Sequence, residues 1–191
     1  MRAKTVIAVA AAFGLGGLVG ALAWMPGNPA ADAGVATKTP RPVWSEVQWL
    51  FAIDEWGKGK AFQCKAADCG TEVNLYIRAK IGFCNCATGV ADDAELERLS
   101  DFALIGKELT ALDAGQPIAV AWMQGRSRPY AMSNAGRTPK SALSVAFNDR
   151  CDAIVATAVV ARDRPATIEP AVIAFLNGST VLRWAEVTLG L

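Results

Sequence analysis

Cysteine is the residue type in this chain that could take part in the widest range of chemistry, and histidine is absent. The 191 residues include five cysteines and no histidine. Without histidine the chain cannot form a Ser-His-Asp triad, a Cys-His pair, a histidine-based zinc site or a histidine-ligated haem. It also lacks the commonest general base near neutral pH. The sequence therefore favours a protein that is not an enzyme, and it predicts neither a cofactor nor a metal site.

The spacing of the cysteines favours disulfide bonds. Cys64 and Cys69 flank a short connection between two predicted strands, where Cα separations of about 5.5 Å suit a disulfide. Cys84 and Cys86 continue one face of a predicted strand, and two steps of extended chain span roughly 6.6 Å, the outer limit for a direct bond. We therefore predict the pair Cys64–Cys69 and a second bond from Cys151 to either Cys84 or Cys86, which leaves one thiol over.

Two other uses of the cysteines stay open. Cys84 and Cys86 could form a redox-active pair, because a strained disulfide is easily reduced. However, the chain has no C-x-x-C motif in a thioredoxin-like βαβ pattern. Alternatively, four thiolates could bind zinc or Cu(I), although their spacings fit no standard zinc knuckle. That set would be Cys64, Cys69, Cys84 and Cys86.

A basic segment is the best candidate for a binding site. Residues 124–140 carry four cations and no acidic residue, and their proline, asparagine and glycine residues are typical of an exposed loop. Arginine and tyrosine on exposed loops favour recognition. We predict a contact site for an anionic ligand or a partner, with a solvated hairpin connection as the simpler alternative. Its residues would be Arg126, Arg128, Tyr130, Arg137 and Lys140.

The scaffold that positions these residues is predicted from hydrophobic periodicity. Residues 72–83 alternate strictly between apolar and polar types, which predicts a strand with one face on the core and the other toward water. Alternation also predicts a strand over residues 47–53 and a short one over 61–64. Residues 142–147 and 153–160 read as the two strands of a hairpin.

Helical patterns are fewer and follow no βαβ repeat. Asp92 and Glu95 form a capping pattern before Leu96 and Leu99, which predicts a helix. Two short helices are predicted near the C-terminus, after residues 169 and 178. The fold class is therefore predicted to be α+β: a single domain with a mostly antiparallel sheet and helices packed on one face.

The N-terminal segment indicates export. Arg2 and Lys4 precede an uncharged run from Thr5 to Met25, which is about as long as a membrane-crossing helix. Small residues would permit signal-peptidase cleavage after Ala33 or after Ala23. We predict a signal peptide or membrane-anchor helix over 1–25, a Pro/Gly/Ala-rich tether over 26–42, and the globular domain over 43–191.

The charge balance narrows the choice of partner. The chain has 19 basic and 18 acidic residues, so no basic surplus points to nucleic acid. We expect an exported, disulfide-braced protein of a bacterial-type envelope, on the periplasmic or extracellular side, soluble after cleavage or tethered by its N-terminal segment. It would act by binding another envelope protein or a small anionic ligand, as an accessory or assembly factor. The alternative is a thiol-disulfide oxidoreductase or metal carrier that uses Cys84 and Cys86.

Overall fold

Eight strands form one sheet in the computed structural model, which describes residues 42–83, 85–105, 108–133, 140–161 and 165–191. The strands are β1 Trp44–Val47, β2 Lys60–Cys64, β3 Val73–Lys80, β4 Leu109–Ala111, β5 Gln116–Val120, β6 Met123–Met132, β7 Lys140–Asp149 and β8 Asp152–Val160. Every pairing between these strands is antiparallel, in the order β1-β2-β3-β8-β7-β6-β4, with β5 also beside β6. This confirms the α+β class and the mostly antiparallel sheet.

Five α-helices accompany the sheet in the described residues. They are α1 Ala66–Cys69, α2 Asp93–Leu99, α3 Phe102–Ile105, α4 Glu169–Leu176 and α5 Ser179–Leu189. No helix in these ranges combines the length and the apolar character needed to cross a bilayer. The predicted signal or anchor segment, residues 1–25, and all but the last residue of the predicted tether lie outside the described residues.

The helices lie on both faces of the sheet, so the prediction of helices on one face was wrong. On β7, Val145 belongs to the cluster that includes Leu176 of α4, and we call this side the core face. The next residue, Ala146, belongs to a separate cluster with Leu96 and Leu99 of α2 on the opposite side, which we call the second face. Adjacent strand residues point to opposite sides. Because β7 is apolar on both sides, both faces need a cover.

The long strand predicted at residues 72–83 is confirmed as β3, but its polar face is partly covered by other residues instead of lying open to water. Arg78 is only 3% exposed and Lys80 only 5%. Arg78 donates to both carboxylate oxygens of Asp101, at 3.1 and 2.5 Å, and to both oxygens of Asp54, at 2.7 and 2.6 Å. Lys80 donates to the carbonyl oxygen of Leu99 at 2.6 Å and lies 3.0 Å from Asp101. Burial is tolerated because each cation has an acidic partner.

The cover over these charges comes partly from residues 48–57. The predicted strand over 47–53 was wrong beyond Val47, because the chain leaves the sheet there and crosses the second face. Trp49 and Phe51 pack edge-on against Tyr76 of β3. Farther along, Asp54 pairs with Arg78. The aromatic residues of this segment therefore pack on a face of the sheet, and the segment is irregular because it does not pair as a strand.

Two local predictions are confirmed. Residues 142–147 and 153–160 form the β7–β8 hairpin, paired from Ser141↔Val160 to Asp149↔Asp152. Asp92 is the N-cap of α2, and its side chain accepts a hydrogen bond from the Glu95 amide at 2.8 Å.

Candidate functional site

Two disulfides join four of the five cysteines, in accord with the disulfide bonding predicted for the chain. Cys64 and Cys69 are bonded with an S–S distance of 2.05 Å, where β2 meets the beginning of β3. Cys86 and Cys151 are bonded at 2.08 Å near the other end of β3, with Cys151 in the β7–β8 turn. The second bridge therefore ties the loop before α2 to the central hairpin. Cys84 lies outside the described residues.

This pairing changes what the alternative cysteine sites would require. Cys86 is bonded to Cys151, so a redox reaction that uses Cys86 would involve that bridge. Cys64 and Cys69 are bonded to each other, and a disulfide sulfur is not a thiolate ligand. Among the described residues, no group of three or more His, Cys, Asp or Glu side chains is placed to hold a metal ion.

Two of the predicted binding arginines, Arg126 and Arg128, lie on a strand, so the prediction of an exposed loop was wrong for residues 124–132. They belong to β6, and Tyr130 is only 2% exposed. The Arg126 Nε donates to Asp93 at 2.6 Å, and the Arg128 Nη1 donates to Glu97 at 2.6 Å. Both acids come from α2, about thirty positions earlier, which is why the segment looks unpaired in the sequence.

The structure describes one of the other two predicted binding residues, Lys140, and it lies outside this cluster of ion pairs. Lys140 is exposed at the first position of β7, where it pairs with Met132 in the sheet. Arg137 lies outside the described residues.

The same arginines bind the edge of the sheet where β4 and β5 are interrupted. Arg126 donates to the carbonyl oxygen of Gly115 at 2.8 Å, and Arg128 donates to that of Asp113 at 2.7 Å. The Gly115 amide donates to Asp93 at 3.0 Å. This backbone hydrogen bond, followed by the Arg126 guanidinium, lowers the pKa of Asp93. The cluster therefore fastens α2 to the sheet edge, with its charges satisfied internally.

Tyr130 is enclosed within this arrangement. Burial, reinforced by the nearby Glu97 carboxylate, raises the pKa of Tyr130 to about 12. The ring of Phe102 packs edge-on against it, with centroids 4.7 Å apart. Tyr130 is therefore a neutral packing residue between the sheet and the helices of the second face.

A groove between β2 and α5 was not predicted from the sequence, and it is a second candidate site. Its volume is about 490 Å³, within the range of about 300–1,000 Å³ that is typical of small-molecule sites. Buried Phe62 and Val181 form its base together with half-buried Trp184. The residues that line it are Lys60, Phe62, Ser179, Thr180, Val181, Arg183, Trp184 and Val187.

Helical geometry explains the wall that α5 contributes. Ser179, Arg183 and Val187 recur every four residues and so lie along one stripe of the helix. Val181 lies on the neighbouring stripe and packs into the core. Val187 is 79% exposed, so it adds apolar surface that the core does not use. The sequence gives no separate signal for the groove, because Val181, Trp184 and Val187 span only about 120° around the helix and look like one ordinary apolar face.

The groove also carries a distinct charge arrangement. The Lys60 ammonium lies 2.6 Å from Glu46 on the neighbouring strand. Arg183 is exposed and has no acidic group within ion-pair distance among the described residues. The first turn of α5 contains no acidic residue. One cation at the rim is therefore available to a ligand.

The arrangement of this site defines its chemistry. The apolar base and the exposed Arg183 guanidinium, which has no acidic partner in the part of the chain that the structure describes, suit an apolar group that carries a negative charge. Comparison of the chain with protein-family models, with curated proteins and with solved structures gives no match.

Proposed function

We propose that this chain is an exported, disulfide-braced protein of a bacterial-type envelope that acts by binding, and that the groove between β2 and α5 is its binding site. It works on the periplasmic or extracellular side as an accessory or assembly factor, either released by cleavage or tethered by its N-terminal segment. Two observations support export: the charged and apolar pattern of residues 1–25 and the two disulfides.

The single observation that carries the binding role is the groove itself. Val187 lines it with apolar surface that the core does not use, beside Trp184, which is only partly buried against the core. Exposed apolar surface of this kind marks interaction sites. Its described lining contains apolar, hydroxyl-bearing and cationic side chains but no carboxylate. By contrast, the buried charges at Arg78 and Asp101 are paired with each other and do not open into the groove. Binding therefore fits this surface better than acid–base catalysis.

In-cell photocrosslinking tests the binding role. A photoreactive amino acid replaces Val187 in the full chain, produced in a host that exports it, and Leu50 serves as the matched control. Both positions are apolar and exposed, at 79% and 74%, but Leu50 does not line the groove. We expect a light-dependent adduct at position 187 that is absent at position 50, with the bound molecule identified by mass. Equal labelling at the two positions, or none at 187, would overturn the proposal.

Alkylation without reductant tests the disulfide-braced state. Protein recovered from the exporting host should show one alkylated cysteine, Cys84, and four protected ones. Alkylation of four or five cysteines would contradict the export and bracing parts of the proposal.

The alternative of thiol-disulfide exchange keeps one supporting observation, because Cys86 is exposed in its bridge to Cys151. An oxidoreductase should reduce or oxidise a model disulfide, and replacement of Cys86 by alanine should abolish that activity. A binding protein should be inert in the same assay and should lose stability when it is reduced.

A further inference from the structure

We infer that the groove takes a long-chain carboxylate, with its alkyl chain along Phe62, Trp184 and Val187 and its carboxylate at Arg183. This inference rests on the proposed function, because it names the ligand class of the same groove.

The shape of the groove accounts for the alkyl part of the ligand. Phe62 and Val181 close the base, while Trp184 and Val187 continue the apolar surface outward along α5. An elongated flexible chain can follow such a stripe and remove Trp184 and Val187 from water. Each methylene buried in this way contributes favourably to binding.

The charges select a single negative charge. Arg183 has no acidic partner among the described residues, and its planar guanidinium matches a carboxylate through two parallel hydrogen bonds. Lys60 is already neutralised by Glu46 at 2.6 Å. A monovalent carboxylate is therefore favoured over a dianionic phosphate monoester.

Isothermal titration calorimetry with chemically matched twelve-carbon ligands tests the charge selection. The protein is titrated with dodecanoate, dodecan-1-ol and dodecyl phosphate, each below the concentration at which it forms micelles. We expect dodecanoate to bind most tightly. Arg183→Gln should weaken dodecanoate binding about 3- to 5-fold, as expected for an exposed ion pair, and should leave dodecan-1-ol unchanged. Lys140→Gln, the matched loss of an exposed cation away from the groove, should change neither ligand.

Chain length tests the apolar contacts. Shortening the ligand from dodecanoate to decanoate removes two methylenes and should weaken binding about 4- to 15-fold, for half or full burial of those groups. Val187→Asp should weaken dodecanoate and dodecan-1-ol alike, because it removes apolar surface that both ligands use. Leu50→Asp is the control for an added charge at an exposed apolar position and should have no effect.

The possible failures can be told apart. If dodecan-1-ol binds as well as dodecanoate and Arg183→Gln changes nothing, the carboxylate assignment is overturned while the groove remains a binding site. A protein adduct at position 187, with no dodecanoate binding, also overturns the carboxylate and leaves the proposed function standing. If neither ligand binds and position 187 gives no adduct, both proposals are wrong.

Discussion

Loss of the Cys86–Cys151 disulfide should destabilise the protein about twice as much as loss of Cys64–Cys69. The bonded cysteines are 65 positions apart in Cys86–Cys151 and 5 positions apart in Cys64–Cys69. A cross-link that closes a longer loop removes more conformational freedom from the unfolded chain. From these loop lengths, chain entropy gives about 4 kcal/mol for Cys86–Cys151 and about 2 kcal/mol for Cys64–Cys69.

The assay must separate loop closure from side-chain packing, because the Cys64 side chain is fully buried. Two proteins are made, each with one pair of bonded cysteines replaced by alanine, and Cys84→Ala is added to both to prevent exchange. Each protein then contains a single disulfide. Its free energy of unfolding in guanidinium is measured with the bond intact and after reduction. Since oxidised and reduced forms of one protein keep the same sulfur atoms, most of the packing contribution cancels.

A larger loss for Cys86–Cys151, by about 2 kcal/mol, is the expected result. The reasoning would be refuted by equal losses, or by a larger loss for the short loop. Residual structure in the reduced unfolded state would reveal itself separately, because it changes the denaturant dependence of the unfolding free energy.

Further predictions concern individual side chains. Asp93→Asn should lower the free energy of unfolding by about 1–2 kcal/mol, since it weakens a charged contact with Gly115. Because the folded-state pKa of Asp93 is lowered, this stabilisation is present above the ordinary aspartate pKa and is lost as pH falls through the folded-state pKa. Between pH 6 and 2, the free energy of unfolding should therefore depend less on pH in the variant than in the original protein. Burial raises the pKa of both tyrosines, Tyr76 and Tyr130, so absorbance at 295 nm should show no native tyrosine titrating at the ordinary value near 10. Ala121→Gly should raise the unfolding free energy by up to about 1 kcal/mol, because Ala121 has a φ of 51° in the β5–β6 turn.

Each of these outcomes can be contradicted directly. An unchanged acid dependence in Asp93→Asn would show that this carboxylate is not held in its charged form. A tyrosine that titrates near pH 10 in the folded protein would show that its ring is open to solvent. Because the pKa of Tyr130 is raised in the folded protein, the stabilisation from its neutral form is present below the ordinary tyrosine pKa and is lost as pH rises through the folded-state pKa. Tyr130→Phe should therefore reduce the loss of stability at alkaline pH. A less stable Ala121→Gly protein would show that the turn is unstrained.

Local periodicity predicted most of the sheet but not what covers it. Residues 72–83 predict β3 because alternation is a property of neighbouring residues, and it sorts Leu75 and Ile77 onto one face. It does not reveal whether the other face is wet. That depends on Asp54 and Asp101, which pair with Arg78 across 24 and 23 positions. Such pairing is set by tertiary structure, so the polar face was assigned to solvent.

The candidate site was harder to predict for the same reason. Arg126 and Arg128 were predicted to bind a ligand because no acidic residue is near them in the sequence, but α2 supplies Asp93 and Glu97 as their partners. The groove was not predicted, because Phe62 and Trp184 each look like ordinary core residues in the sequence. Its existence depends on where α5 crosses the sheet, which no local pattern specifies. The two disulfides were more accessible to prediction, since strand positions constrain which cysteines can approach.

The irregular edge formed by β4 and β5 also bears on self-association. Regular sheet edges invite strands from other molecules, which is a route to aggregation. Here residues 112–115 bulge opposite Arg128 and Pro129, and the carbonyl oxygens of Asp113 and Gly115 already accept hydrogen bonds from arginine side chains. An incoming strand would find no straight path along this stretch, and the carbonyl oxygens of Asp113 and Gly115 would already be occupied. Strand addition is therefore hindered at this interruption, whereas β1 at the opposite edge offers four residues in a regular strand and a charged side chain at Glu46.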